Sequence, residues 1–288
     1  MNQIAPPKAS SSSMLIYNAA QSYFLKKKLH TGGMAEIFLA EKKGALGFSK
    51  SVIIKQIAPE WLHKPEIGAL FIKEALLHSQ LDHPNIISIQ DLGENNHYPY
   101  MVLEYIERVS FTDLIRSLSL VSPNQRLKPA FQIISDLLFA LDYIHRLGIV
   151  HQDISPSNLL ISRAGITKLC DFGLAETTNT QESAHQHARG KIRYMPPERL
   201  SQLFPDPRSD LFSVGICLFE LITLQPFFEQ KSDSQVIKAL RLGGYLKRLN
   251  MIRHLEPHFQ VLLERALQPS PENRFASAKE FLSALYAH

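Results

Sequence analysis

The strongest constraint on the fold is a pair of short polar strings, each placed directly after an apolar run. His151-Gln152-Asp153-Ile154-Ser155-Pro156-Ser157-Asn158 follows Leu147, Ile149 and Val150, and Asp171-Phe172-Gly173 follows Ile166, Leu169 and Cys170. Apolar runs this short predict brief buried strands, and a loop leaving a buried strand starts from rigid backbone that aims its side chains. A lone aspartate in a loop is ordinarily a solvated cap or turn former. Two carboxylates and a carboxamide (Asp153, Asp171 and Asn158) at the ends of two such strands form a far more specific set.

That set suits phosphoryl transfer, which needs a carboxylate to orient the attacking hydroxyl and accept its proton, and oxygen ligands for the metal that bridges the phosphates. Asp153 reads as the base, Asn158 as a metal ligand and Asp171 as the main metal carboxylate. In these strings the chain resembles the protein kinase family, and the resemblance runs from about Tyr23 to the C-terminus. It implies an α+β, bilobal protein kinase-like fold. A flexible leader over 1–20 is followed by a small β-rich N-lobe over 21–105 and a larger α-helical C-lobe, with the hinge, over 106–288.

Further landmarks fall in the family's order. Leu29-His30-Thr31-Gly32-Gly33-Met34-Ala35-Glu36-Ile37 takes the place of the glycine-rich loop, where Gly32 and Gly33 would let backbone N–H groups approach phosphates without Cβ obstruction. Alone, a Gly-Gly pair between strands reads as a hairpin turn. Val52-Ile53-Ile54-Lys55 matches the strand whose lysine grips the α and β phosphates, and Phe71-Ile72-Lys73-Glu74-Ala75 matches the helix whose glutamate holds that lysine. A lysine ending an apolar strand otherwise snorkels into water. With Glu74 inside a helical pattern spanning Glu66 to Gln80, a Lys55–Glu74 ion pair is expected.

Tyr100-Met101-Val102-Leu103-Glu104-Tyr105-Ile106 resembles the last N-lobe strand entering the hinge, with Leu103 as gatekeeper and the backbone of Glu104 and Ile106 facing the adenine edge. Ile37 and Ile53 above, and Leu160 below, match the apolar sandwich around that ring, although each also reads as ordinary core. Glu198 and Arg274 match the pair that ties the activation segment to the large lobe, and Asp210 matches the aspartate that braces the catalytic loop.

The departures from the family bear on regulation and rate. His30 and Ala35 stand at two of the loop's glycine positions, and Ile53 stands where alanine is usual, adding bulk over the adenine. Gln152 replaces the arginine that receives an activation-loop phosphate in many members, so that charge-assisted contact is lost. Thr177, Thr178, Thr180 and Ser183 remain as acceptors, or simply as solubilising loop residues. Ser155 stands where serine/threonine members carry a lysine, and Lys191 stands where they carry a threonine. Those positions face each other in the family, so Lys191 is expected to bring its ammonium near Asp153 and the γ-phosphate, with Ser155 supplying the hydroxyl. Without the exchange, loss of one preorganised contact costs on the order of 3 kcal/mol, or a hundredfold in rate.

The resemblance implies an ATP-dependent kinase acting on Ser/Thr hydroxyls of protein substrates, because Pro156 follows the loop pattern of those members. ATP with magnesium, or manganese as an alternative, is the implied cofactor set. A second reading is a pseudokinase, a scaffold that binds nucleotide without transferring phosphate. A small-molecule phosphotransferase is disfavoured because Gly190 to Glu198 resembles a peptide-binding segment. The Gly-Gly-Met-Ala-Glu and Asp-Ile-Ser-Pro-Ser-Asn stretches look most like bacterial members of the eukaryotic-like kinase group, and regulation would come from a partner protein.

Composition agrees with two lobes, since 288 residues with 45% hydrophobic content can bury a large core. The leader, with Pro6-Pro7 and Ser10 to Ser13, lacks the features of a signal peptide. No apolar run approaches the roughly 20 residues of a membrane span. Val214 to Leu224 is short, contains Glu220, and reads as a buried helix. Cys170 and Cys217 lie in apolar patterns and read as reduced, buried thiols, which implies a cytoplasmic location. The charge of +4 is modest, and the Lys26-Lys27-Lys28 cluster reads as a solvated strand edge, not a nucleic-acid site. His185 and His187 read as surface residues without metal-ligand spacing.

Overall fold

The computed structural model describes residues 15–18, 21–95, 98–177, 191–201, 205–230, 232–255 and 257–287. They form two compact units: the chain up to Ser79 together with Ser88–Tyr105, and Gln80–Ile87 together with the chain from Ile106 onward.

The first unit is a six-stranded sheet with one helix. Strands β1 (Leu15–Asn18), β2 (Gln21–Thr31), β3 (Ala35–Lys43) and β4 (Ser49–Ile57) precede helix α1 (Pro65–Ser79), and β5 (Ile89–Asn95) and β6 (Tyr98–Glu104) follow it. The order across the sheet is β1-β2-β3-β4-β6-β5, and every pair is antiparallel. The period-two alternation of β4 separates two cores. Val52 and Ile54 pack with Tyr23, Leu25, Ala40, Tyr100 and Val102 on one face. Ile57 lies on the other, where α1 lays down Ile67, Phe71 and Ala75 at helical spacing together with Met101. Lys55 therefore points from the same face as Ile57, toward the helix.

Lys26, Lys27 and Lys28 are exposed, and β1 pairs only with Gln21–Phe24, so at the lysines β2 is bonded within the sheet on its β3 side alone, as expected of a solvated strand edge. Lys26 pairs with Glu41 at 2.7 Å and Lys28 with Glu36 at 2.5 Å, so cross-strand carboxylates offset part of the cluster's charge.

The second unit is mostly helical. It begins with β7 (Arg108–Val109), α2 (Phe111–Ser119) and α3 (Pro123–Arg146), followed by β8 (Ile149–Val150), β9 (Leu159–Ser162), β10 (Thr167–Leu169) and β11 (Glu176–Thr177). Helices α4 (Pro207–Thr223), α5 (Asp233–Arg241), α6 (Pro257–Ala266) and α7 (Ala278–Tyr286) complete it. Residues 80–87 belong here because Ile87 N–H donates to the Leu169 carbonyl (2.9 Å), Leu169 N–H donates to that of Asn85 (2.8 Å), and the Asn85 side chain donates to that of Thr167 (3.0 Å).

The buried residues of α3 begin at Ala130, but the helix starts earlier, at Pro123. Ser122 and Gln125 form a capping box there, with proline at the first helical position, a signal carried by polar residues and not by an apolar stripe. Gly148, just beyond the helix, takes the left-handed φ of 72° that favours glycine after a helix. Among the described residues no helix is long and apolar enough to cross a membrane.

The apolar run at 214–224 falls in α4, whose residues from Ser209 to Ile222 are all buried. Close packing leaves no room beside Gly215, where an added Cβ would meet Ala266 Cβ at 2.9 Å and Leu267 Cδ2 at 3.1 Å. Glu220 is accommodated by two hydrogen bonds: the Phe227 N–H donates to Oε1 (3.0 Å) and the Tyr194 hydroxyl to Oε2 (2.8 Å). Burial pushes the Glu220 carboxyl above its ordinary value of 4.5. Cys217 is free and buried, and burial pushes its thiol well up. Cys170 is also free but only half-buried, because it follows the last residue of β10 and enters the Asp171 loop.

Two outcomes follow from α4. Gly215→Ala is expected to destabilise the fold by about 1–3 kcal/mol, because the added methyl overpacks the α4–α6 contact; urea unfolding measures the loss. For Glu220 the folded state holds the proton more tightly than the unfolded state, so its contribution to stability falls as pH rises from 4.5 through the raised folded value. Glu220→Gln can accept from Phe227 and donate to Tyr194 without titrating. Its stability relative to the native protein should therefore rise across that pH range, and a relative stability that falls would contradict the assignment.

Candidate active site

In the first unit, the alternation of β4 and the α1 spacing bring Lys55 and Glu74 together. Lys55 Nζ donates to Glu74 Oε1 at 2.5 Å, and both side chains are about nine-tenths buried. Burial removes solvent screening but adds a desolvation cost, so removing either partner would leave an uncompensated buried charge. Ile37 lies opposite Lys55 in the β3–β4 register, and Ile53 lies opposite Leu103 in the β4–β6 register. Ile53 and Leu103 are half-buried, and Leu103 packs against the α1 cluster. Glu104 is fixed at the end of β6 by reciprocal bonds with Ser88: its N–H donates to the Ser88 carbonyl (3.0 Å), and its Oε1 accepts the Ser88 N–H (2.8 Å).

Gly32 and Gly33 form the β2–β3 turn, closed by the Gly32 N–H on the Ala35 carbonyl at 2.8 Å. Neither glycine has a positive φ, and a Cβ at Gly33 would have no neighbour within 4 Å. The turn itself therefore does not require glycine, unlike the tight hairpin that a Gly-Gly pair first suggests.

In the second unit, the two strings leave β8 and β10 and are fastened to each other by backbone. The Cys170 N–H donates to the Asn158 carbonyl (3.0 Å), and His151 Nε2 lies 3.3 Å from the Cys170 carbonyl. Phe172 is buried with its ring edge-on to His151 at 4.9 Å between centroids. Asp171, exposed between Cys170 and Phe172, has a left-handed φ of 66°, and Gln152 has one of 65°. Such conformations in non-glycine residues cost about 1–3 kcal/mol each and cluster at functional sites. Burial pulls the His151 imidazole below its ordinary pKa. In the neutral ring, Nδ1 accepts the Asp153 N–H (3.3 Å), which leaves the proton on Nε2, facing the Cys170 carbonyl.

Asp210, at the start of α4, holds the loop from behind. Its Oδ2 accepts the His151 N–H at 2.9 Å, its Oδ1 accepts the Gln152 N–H at 2.8 Å, and His145 Nε2 lies 2.9 Å from Oδ2. Burial alone would raise the Asp210 carboxyl, but these bonds and the neighbouring histidines hold it below its ordinary value. Ile106 and Leu160, the other two expected adenine contacts, are half-buried, with Leu160 in β9.

Asp153, Ser155, Asn158 and Lys191 lie together. Asn158 Nδ2 donates to the Asp153 carbonyl (2.7 Å) and to Asp153 Oδ2 (2.9 Å). The Lys191 N–H donates to Asp153 Oδ1 at 3.3 Å. Its ammonium donates to Ser155 Oγ (3.0 Å), to Ser157 Oγ, and to Asn158 Oδ1 (3.4 Å). The exchange of Ser155 and Lys191 is thus a contact, with one difference from expectation. The lysine gives Asp153 its backbone N–H and spends its charge on the two hydroxyls and the amide.

Ser157 was legible only as a neighbour of Ser155 two positions away. Arg199, whose Nη1 donates to the Gln152 carbonyl at 2.5 Å, had no signal in sequence. Neither did Arg193, which donates to the carbonyls of Phe228 (2.8 Å) and Gln230 (2.6 Å). The expected Glu198–Arg274 pair is bidentate at 2.7 Å and buried, with Ser209 donating to Glu198 at 2.8 Å. Thr178, Thr180, Ser183, His185, His187 and Gly190 lie outside the described residues, as does the side chain of Thr177.

The donor chemistry fits magnesium. With its Nδ2 committed to Asp153, Asn158 has Oδ1, a hard oxygen, as its remaining ligand atom, which also accepts from Ser157 Oγ (3.2 Å) and Lys191 Nζ (3.4 Å), and the Asp171 carboxylate follows Cys170, which is bonded to the Asn158 backbone. Magnesium characteristically takes one or two such protein ligands and completes its shell with phosphate and water.

Residues 23–287 match the family model of the protein kinase domain. Among curated proteins, the chain is 35% identical over 276 residues to the tyrosine-protein kinase MasK of Myxococcus xanthus, covering 91% of this chain and 42% of that protein. It is 32% identical over 272 residues to the serine/threonine-protein kinase PknB of Mycolicibacterium smegmatis, covering 91% and 42%. It is 33% identical over 270 residues to a probable serine/threonine-protein kinase of Streptomyces coelicolor, covering 90% and 38%. The chain spans less than half the length of these relatives. With the matched segment covering both units and every landmark of the site, the chain belongs to the protein kinase domain family.

Proposed function

We propose that the chain transfers the γ-phosphate of ATP to serine or threonine hydroxyls of protein substrates. The observation that carries this reading is the bonded group of Asp153, Asn158 and Lys191, in which a carboxylate and an amide oxygen of one loop are met by an ammonium from a distant segment. Asp153 orients the substrate hydroxyl and takes its proton. Its carboxylate is already steered by the Asn158 amide and the Lys191 N–H, so little reorganisation precedes reaction. Lys191 carries a positive charge to the place where the transferred phosphoryl group spreads its own. Lys55, held by Glu74, grips the α and β phosphates. In the first unit the backbone of the Gly32–Gly33 turn is assigned to the phosphates, and Ile37, Ile53, Leu103 and the Glu104 backbone to the adenine; in the second unit Leu160 and the Ile106 backbone are assigned to the adenine. Of the two residues expected to hold magnesium, with manganese as an alternative, Asp171 would bind an ion directly, whereas Asn158 Oδ1 would be contested between a second ion and the Lys191 ammonium; metal bound here would neutralise phosphate charge.

The serine/threonine preference is supported by Pro156 and by the relatives of that name, whereas MasK is named a tyrosine kinase. Incubation with γ-labelled ATP, magnesium and a generic basic protein should label serine or threonine, read by phosphoamino-acid analysis. Label on tyrosine alone would reassign the acceptor. Asp153→Ala should abolish transfer, and Lys191→Met should lower kcat by about a hundredfold. Nucleotide binding with no transfer in the native protein would instead identify a scaffold.

A further inference from the structure

Asn158 Oδ1, the oxygen assigned to metal in the kinase reading, is already approached by a cation. Lys191 Nζ lies 3.4 Å from it, 3.0 Å from Ser155 Oγ and against Ser157 Oγ. An ammonium has three donors and no acceptor, and here three oxygens from one string receive them. The amide is held in place, because Asn158 is buried and its Nδ2 donates twice to Asp153, at 2.7 and 2.9 Å. Ser157 Oγ also donates to Oδ1 at 3.2 Å, so the oxygen and the ammonium are tied to the same hydroxyl.

Protein kinases hold two magnesium ions, on the aspartate of the second string and on the asparagine of the first. A divalent ion on Oδ1 would stand within a few ångströms of a fixed positive charge, where repulsion is strong. It would also need an oxygen cleared of competing donors, since magnesium demands near-ideal geometry at short range. We propose that Lys191 is a tethered cation that occupies Asn158 Oδ1 in place of a second divalent ion, so that nucleotide is bound with a single metal ion, on Asp171. The proposal rests on the kinase reading of the same loop.

Counting manganese ions by electron paramagnetic resonance, on protein saturated with a non-hydrolysable ATP analogue, tests this without reference to activity. The native protein should bind one manganese ion tightly per nucleotide complex. Lys191→Met should bind two, the second at least about tenfold more tightly than any second ion on the native protein. Lys191→Gln is a second neutral variant, and the native count is informative on its own should both variants fail to fold. Two tight ions on the native complex, or one on folded neutral variants that bind nucleotide, would overturn the inference and leave the kinase reading standing. Failure of the native protein to bind nucleotide at all would overturn both.

Discussion

The catalytic-loop half of the candidate site depends on one buried carboxylate. Asp210 accepts two successive backbone N–H groups, those of His151 and Gln152, and faces His145 Nε2. Removing an ion from water costs several kcal/mol even after relaxation, and charge-assisted hydrogen bonds from fixed donors are what offset it. The bonds also set direction. Two consecutive peptides pinned to one carboxylate leave the next residue, Asp153, little rotational freedom. Asp210 is itself immobile because it opens α4, a helix buried from Ser209 to Ile222 and packed at Gly215 without space for a methyl group. Core packing is thereby converted into the aim of a loop.

From Asp210 the order spreads mainly through peptide groups. Neutral His151 connects the Asp153 N–H to the Cys170 carbonyl, and the Cys170 N–H returns to the Asn158 carbonyl. Phe172 seals the other side of the imidazole. The two strings are therefore one bonded unit, and the left-handed backbone at Gln152 and Asp171 is held by neighbours on both sides. Such strain persists only where the surroundings over-determine it.

Much of this was legible in the sequence because it rests on local pattern. The strings announced themselves by following apolar runs that became β8 and β10. Lys55 and Glu74 were legible because strand alternation and helix spacing each fix a side chain's direction. The start of α3 was not, since its first turn is polar and its signal is a capping box. The β2 lysines were legible as a solvated edge, because three successive charges leave no side chain to bury, and β1 stops pairing at Phe24, before they begin. The Lys191–Ser157, Arg199–Gln152 and Arg193–Phe228 contacts join residues tens of positions apart with no period between them. Where such contacts were legible beforehand, the family resemblance carried them: Glu198–Arg274 and Asp210 by matching it, and Ser155–Lys191 because both partners departed from it together.

Arg199 changes what position 152 has to do. Its guanidinium takes the Gln152 carbonyl, while Asp210 takes the Gln152 N–H. A residue clamped by both of its peptide groups has its backbone set from outside, and at a left-handed φ of 65° an unbranched side chain is tolerated where a β-branched one would add strain. Scaffold and side chain are separable traits here: the first belongs to the backbone and its two clamps, the second to whatever the position must read. Position 152 is in this sense a socket, and an arginine set into it would add a phosphate-reading charge to a loop that need not be rebuilt to receive it.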